Sequence, residues 1–199
     1  MSYNKFTLEK VVNDFQLTVQ SWKLQVSEIK PEKASVVLLT YLEENHDWAT
    51  AQLSEKTRSE LIVSPVLAEL RKIAKKKISI FSGKKFDVDI KKGLNGVCDY
   101  LISKSADIFI LREPIIAVVE AKRGILEEGW GQCAAEMIAS RIFNQNHNIE
   151  LPTMYGVVTS GLAWQFLKLE NSVIYIQDSE IKIDELEILL GIFKQFLIL

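Results

Sequence analysis

Pro114-Ile115-Ile116-Ala117-Val118-Val119-Glu120-Ala121-Lys122 is an apolar run that turns charged only at its end. Its β-branched residues, with no alternation to polar ones, are those of a strand covered on both faces. Residues two apart in a strand point to the same side, so Glu120 and Lys122 emerge next to each other. Upstream, Gly96-Val97-Cys98-Asp99-Tyr100-Leu101-Ile102 is a second buried-strand pattern interrupted by one carboxylate. If the two strands lie side by side, two carboxylates and one ammonium converge at the edge of a sheet. Such a set can hold a divalent cation and assist phosphodiester hydrolysis. Magnesium accepts one or two carboxylates together with waters and substrate phosphate, and a lysine can polarise water or steady the pentavalent phosphate. The plainer reading is a strand that ends in solvent, where Glu-x-Lys is a same-face ion pair of little worth.

Around these strands the pattern alternates between helix and strand. A helix is predicted over 8–15, followed by period-2 segments over 17–26 and an apolar stretch over 34–41 that could continue either way. Leu61, Val63, Val66, Leu67, Leu70 and Ile73 form an apolar stripe that predicts a helix over 61–74. Pro65 is accommodated if Ser64 is the N-cap and Pro65 the first helical residue, with Glu60 and Leu61 in a preceding turn. Residues 77–81 and 85–90 read as a hairpin around Ser82-Gly83-Lys84. Strands over 97–103 and 115–121, a helix over 127–143, and strands over 153–159 and 163–169 follow. An edge strand over 173–177 and a helix over 182–196 end the chain. This order gives an α/β domain with a mixed sheet flanked by helices. One domain over 1–199 is expected, with an N-terminal layer over 1–52, a core over 59–169 and the last strand and helix over 173–199.

The 199 residues, 48% hydrophobic, suffice for one well-buried α/β domain. A formal charge of −2 argues against a uniformly basic nucleic-acid coat protein, but not against a local basic patch. Nine basic residues fall within 71–92 against Asp87 and Asp89. Of these, Lys75, Lys76, Lys77, Lys84 and Lys85 could contact phosphates, as could Arg123, or they could form a solvated helix end. Cys98 and Cys133 lack metal-type spacing and read as reduced core residues of a cytoplasmic protein. His46 and His147 stand apart, which argues against zinc. No apolar run reaches membrane-spanning length, and no basic-then-apolar leader opens the sequence. Gly83-Lys84-Lys85 lacks the P-loop frame, and Thr159-Ser160-Gly161 lacks the nucleophile-elbow pattern. Trp164 and Phe166 read as core rather than as base-stacking platforms.

Ser59-Glu60-Leu61 with Pro65-Val66-Leu67, Gly96 to Tyr100, Val118 to Lys122, Gly131 to Glu136 and Tyr155 to Trp164 occur in that order. In these segments, covering slightly more than half of the chain, the sequence resembles the PD-(D/E)XK nuclease superfamily. It is most similar to the nuclease region at the N-terminus of type I restriction enzyme R subunits and to related stand-alone proteins. The resemblance implies a restriction endonuclease-like fold and a metal-dependent endonuclease acting on DNA. It implies that Asp99, Glu120 and the Ala121 carbonyl hold Mg2+, for which Mn2+ can substitute, with Glu60 as a further ligand. Lys122 would be the catalytic lysine. Gln132 would be the glutamine of the Gln-x-x-x-Tyr element, whose tyrosine position here holds Glu136. Cys98 stands where the superfamily has proline. Glu69 competes with Glu60 for the helix glutamate; nine residues apart, the two lie on opposite sides of a helix.

Two other readings stay open. One is a non-catalytic member of the same fold that binds DNA or a separate partner protein. The other is an interaction protein, a homodimer through the apolar residues Leu186, Leu189, Leu190, Phe193, Phe196 and Leu197; the same residues could instead complete the core.

Overall fold

The computed structural model describes residues 2–52, 54–122 and 124–198. The Thr7 hydroxyl accepts the Lys10 main-chain N–H and caps α1 (Leu8–Phe15); β1 (Thr18–Trp22) follows. Ser35 caps α2 (Val36–Ala51) in the same way. Next come α3 (Glu55–Arg58) and α4 (Ser64–Ile73), joined without a break by a π-helical segment over Ser59–Val63. The predicted helix start at Ser64 is therefore corrected. The Ser64 N–H reaches back to the Ser59 carbonyl, and this widened turn gives room for the Pro65 ring, which would clash with a carbonyl in a regular α-turn.

The strand β2 (Ser79–Lys85) runs straight through Gly83, so the expected hairpin around Ser82-Gly83-Lys84 does not form. Gly83 is a local distortion with φ +59°, and the turn comes later, between β2 and β3 (Val97–Ser103). The remaining elements are β4 (Ile115–Ala121), α5 (Glu127–Asn146), β5 (Thr153–Thr159), β6 (Ala163–Glu170), β7 (Val173–Gln177), β8 (Ile181–Lys182) and α6 (Leu186–Phe193).

The strands form one mixed sheet in the order β1-β7-β6-β5-β4-β3-β2, with β8 paired to β6. The pairs β1–β7 and β4–β5 are parallel and the rest antiparallel. A parallel neighbour needs a crossover, and α5 supplies it between β4 and β5. The expected edge position of 173–177 is corrected as well, because β1 pairs along the outside of β7.

Alternate strand residues feed two cores. Leu101, Val118, Val158 and Leu167 pack with Cys133 and Met137 of α5. Tyr100, Val119, Val157 and Phe166 pack with Leu67 and Leu70 of α4 and Leu189 and Phe193 of α6. Helices on both faces explain why every residue of β4 is buried. Trp164 and Phe166 lie in the second core, as the sequence suggested. So do Leu186, Leu189, Leu190, Phe193 and Leu197, while the Phe196 ring stacks on Tyr155 at 5.0 Å. The apolar side of the C-terminal helix is thus spent inside its own chain, and the expected dimer seam there is not available. Among the described residues, no helix is long and apolar enough to cross a membrane.

Candidate active site

The site lies where β3 and β4 part. Their ladder pairs Leu101 with Val118 and Tyr100 with Val119, and one further step of the same register sets Asp99 opposite Glu120. By alternation Glu120 faces α5, the side taken by Val118. At this step the Asp99 side chain takes over from the ladder, with Oδ2 accepting the Ala121 main-chain N–H at 2.9 Å. Glu120 is only 2% exposed. Its Oε1 accepts from Lys122 Nζ at 2.6 Å, whereas Oε2 is buried without a hydrogen-bond partner.

The rest of the site comes from α5. Lys122 Nζ also donates to Gln132 Oε1 at 3.1 Å, and Gln132 Nε2 donates to Glu136 Oε1 at 3.1 Å. Glu136 is fully buried, and its Oε2 likewise has no hydrogen-bond partner. This chain of contacts depends on Gly129, since a Cβ there would lie 2.5 Å from Val158 Cγ1 and 3.0 Å from Lys122 Cγ. The helix can approach the lysine only because that position has no side chain.

Burial dominates the electrostatics. It pushes the Glu120 carboxyl up to about 8, aided by the neighbouring Asp99 charge and opposed by Lys122. Burial and the Glu120 charge hold Glu136 well above the usual carboxylate range. Asp99 is raised by burial, against the Ala121 N–H and Lys122. Burial alone would pull Lys122 down, but its ion pair with Glu120 outweighs that and keeps it above the ordinary lysine value. The site therefore holds more buried acid than cation. The Cys98 and Cys133 thiols are pushed up by burial, and both are free and buried.

Asp99, Glu120, Lys122 and Gln132 are thus brought together, with Ala121 held by Asp99. Glu60 has another setting. It is exposed, pairs with Lys56 at 2.8 Å and lines a groove together with Val37 and Tyr41. Glu69 is structural, accepting from both the main-chain N–H and the hydroxyl of Ser35 at the start of α2. The acid whose charge reaches Glu120 and Lys122 from the long helix is Glu55. Sequence reasoning missed it by starting that helix too late; the signal was the N-cap Ser54 immediately before it.

The lysine cluster is divided. β2 pairs Ser79 with Ser103 and Lys85 with Val97, a run of about 20 Å at strand rise. Lys84 and Lys85 therefore flank Asp99, whereas Lys75, Lys76 and Lys77 lie at the opposite end of the sheet. Lys75, Lys76 and Lys77 are therefore remote from the candidate site, unlike Lys84 and Lys85. Lys84 Nζ lies 6.0 Å from the Phe81 ring centroid, on the α5 side of the sheet. Lys85 pairs with Asp87 at 2.9 Å. Arg123 lies outside the described residues.

Among the described residues, no three His, Cys, Asp or Glu side chains are gathered to hold a metal ion. Asp99 and Glu120 do offer two carboxylates, the number magnesium commonly takes from a protein while keeping its waters and a phosphate. The orphaned Glu120 Oε2 fits a missing cation or a proton. Compared with family models, curated proteins and solved structures, the chain has no significant match to any of them.

Proposed function

We propose that the protein is a metal-dependent nuclease of the restriction endonuclease-like, PD-(D/E)XK type, hydrolysing phosphodiesters in DNA. One observation carries the reading. A carboxylate on β4 is buried with one oxygen orphaned and the other fixed by a lysine two residues on, and Asp99 lies opposite it on the neighbouring strand. A buried polar atom without a partner is costly, so it is retained where a ligand completes it.

Asp99, Glu120 and the Ala121 carbonyl would hold magnesium, or manganese in its place. Bound there, the ion would lower the pKa of a water and neutralise phosphate charge. Lys122 spends two N–H groups on Glu120 and Gln132, leaving a third to hold the attacking water or a phosphate oxygen. Gln132 keeps the ammonium from swinging away, and Glu136 fixes which end of the Gln132 amide faces it. Lys84, whose strand partner Cys98 adjoins Asp99, would meet a DNA phosphate there. Two free, buried thiols fit a reducing compartment, the cytoplasm.

Calorimetry with manganese alongside nicking of a supercoiled plasmid tests this reading. Asp99→Ala should abolish both binding and cleavage. Lys122→Ala should keep the metal and lose about 10²-fold or more in cleavage, the scale of one charge-stabilising group. A second reading, a non-catalytic member of the fold, is favoured by the hydrogen bond from Ala121 to Asp99, which gives that carboxylate a structural role. Wild-type protein that binds manganese but nicks no DNA or RNA would select it.

A further inference from the structure

Two features of the surface are not used by the site. The first follows β3. Ile108, Phe109 and Ile110 are 57%, 85% and 53% exposed in sequence succession. They are not loose: Asp107 Oδ1 accepts the main-chain N–H groups of Phe109 and Ile110 at 2.9 and 3.0 Å. Asp107 Oδ2 is in turn held by Arg112 Nε at 3.2 Å. The result is an apolar knob whose main chain is held by hydrogen bonds within the turn. Lys104 precedes it, and Lys75, Lys76 and Lys77 lie at the same end of the sheet through the Ser79–Ser103 pair.

The second feature is α2 with the segment before α6. Only Leu38 and Ala49 of this sixteen-residue helix are buried, and Val36, Val37, Leu39 and Trp48 are exposed. Leu39 and Leu42 join Ile183 and Leu186 in a groove of about 500 Å³, rimmed by Glu43, Asp47 and Asp184. The groove is at the other end of the molecule: the Ile183 N–H bonds the Leu162 carbonyl, in the turn that follows Thr159, and Thr159 pairs with Ala121 of the site.

We infer that the knob of one copy docks into the α2 groove of a second copy, joining molecules head to tail. An exposed aromatic on a preorganised turn is the form of an interface anchor that loses little entropy on binding. The groove is apolar where the knob is apolar and acidic where its surroundings are basic, so the two match in charge as well as in character. Because the surfaces differ and sit at opposite ends, the contact is heterologous and a joined pair still has one knob and one groove free, which permits a ring or a filament. This inference does not depend on the chemistry proposed for Asp99 and Glu120.

Sedimentation velocity tests it. At concentrations on the order of 100 µM, where weak specific contacts become populated, the wild-type mass should rise past that of a dimer. Phe109→Ser, which removes the knob, and the double variant Asp47→Lys with Asp184→Lys, which reverses the rim, should each stay monomeric. All three substituted positions are on the surface, and unchanged thermal melts should confirm the fold. Mixed in equal amounts, the two variants retain one intact knob and one intact groove between them, and should give a species of twice the monomer mass and nothing larger. A monomeric wild type, variants that associate like wild type, or a mixture that stays monomeric would each overturn the proposal.

Discussion

Asp99 and Ala121 are tied across the strand boundary, the carboxylate accepting the main-chain N–H at 2.9 Å. The bond substitutes for the ladder where β3 and β4 separate, and it fixes one carboxylate oxygen beside Glu120. Structural and proposed chemical roles meet in one side chain, and substitutions can divide them.

Asp99→Asn keeps an oxygen for the Ala121 N–H and should melt close to wild type, while losing manganese affinity by calorimetry. Asp99→Ala leaves that donor without its partner, and should cost about 1–2 kcal/mol of stability besides. Equal melting of the two variants would show that the hydrogen bond has no structural weight.

The raised Glu120 carboxyl predicts a pH dependence of definite sign. Its folded value of about 8 exceeds the ordinary 4.5, so the folded chain holds a proton that the unfolded chain has released. Stability of the metal-free protein should therefore fall as pH rises through that window and level off above it. Cation binding needs the ionised form, so manganese affinity should climb over the same range. Glu120→Gln should flatten the melting profile in part, the remainder being due to Glu136, and remove cation binding. Melts across the range, with and without manganese, check both halves.

Gly129→Ala places a methyl against Val158 and the Lys122 side chain. Overpacking of this kind costs about 1–3 kcal/mol, and here it should also disturb the lysine contacts with Glu120 and Gln132. Nicking should fall more than it does in an exposed Gly124→Ala control with the same assay.

Glu69→Ala removes the acceptor for both the Ser35 N–H and hydroxyl. Hydrogen bonds to a charged group are worth about 1.5–3 kcal/mol, and α2 has few other attachments. Faster hydrogen exchange confined to residues 36–51, with the sheet unchanged, is the expected result.

Much of the scaffold could be read in the sequence. The strands containing Asp99 and Glu120, and those over 153–159 and 173–177, are apolar runs with clear ends, and α1 has a capping threonine and an amphipathic repeat. Failures came where one local signal carried two meanings. Gly83 read as a turn, yet serves as a distortion within β2. Pro65 read as a helix start, yet is absorbed by a π-turn. In α2 a mostly apolar first half, Val36 to Leu42, is followed by the polar run Glu43 to Asp47, so no helical period marks a buried side. At the site, the same-face rule set Glu120 beside Lys122, and the two adjoining apolar runs put Asp99 on the neighbouring strand, because register follows from burial. Proximity along the chain misled for the lysines, since a single strand carries Lys84 far from Lys77. Glu55 and the depth of Glu136 depend on how helices seat against the sheet, which no short stretch of sequence encodes.

The parallel pairing of β1 with β7 has a consequence for the order of synthesis. Residues Thr18 to Trp22 are made before every other strand of the sheet, but their partner Val173 to Gln177 only after β2 to β6. The nascent chain must therefore carry β1 unpaired until all of the intervening strands have been made, and the sheet gains this edge late, through a contact of long sequence separation and slow formation. The composition of β1 suits that wait: Thr-Val-Gln-Ser-Trp is mostly polar and mostly exposed even when folded, so the waiting strand offers little to a neighbouring nascent chain. Until it docks, the edge of β7 stays open to any strand that reaches it first.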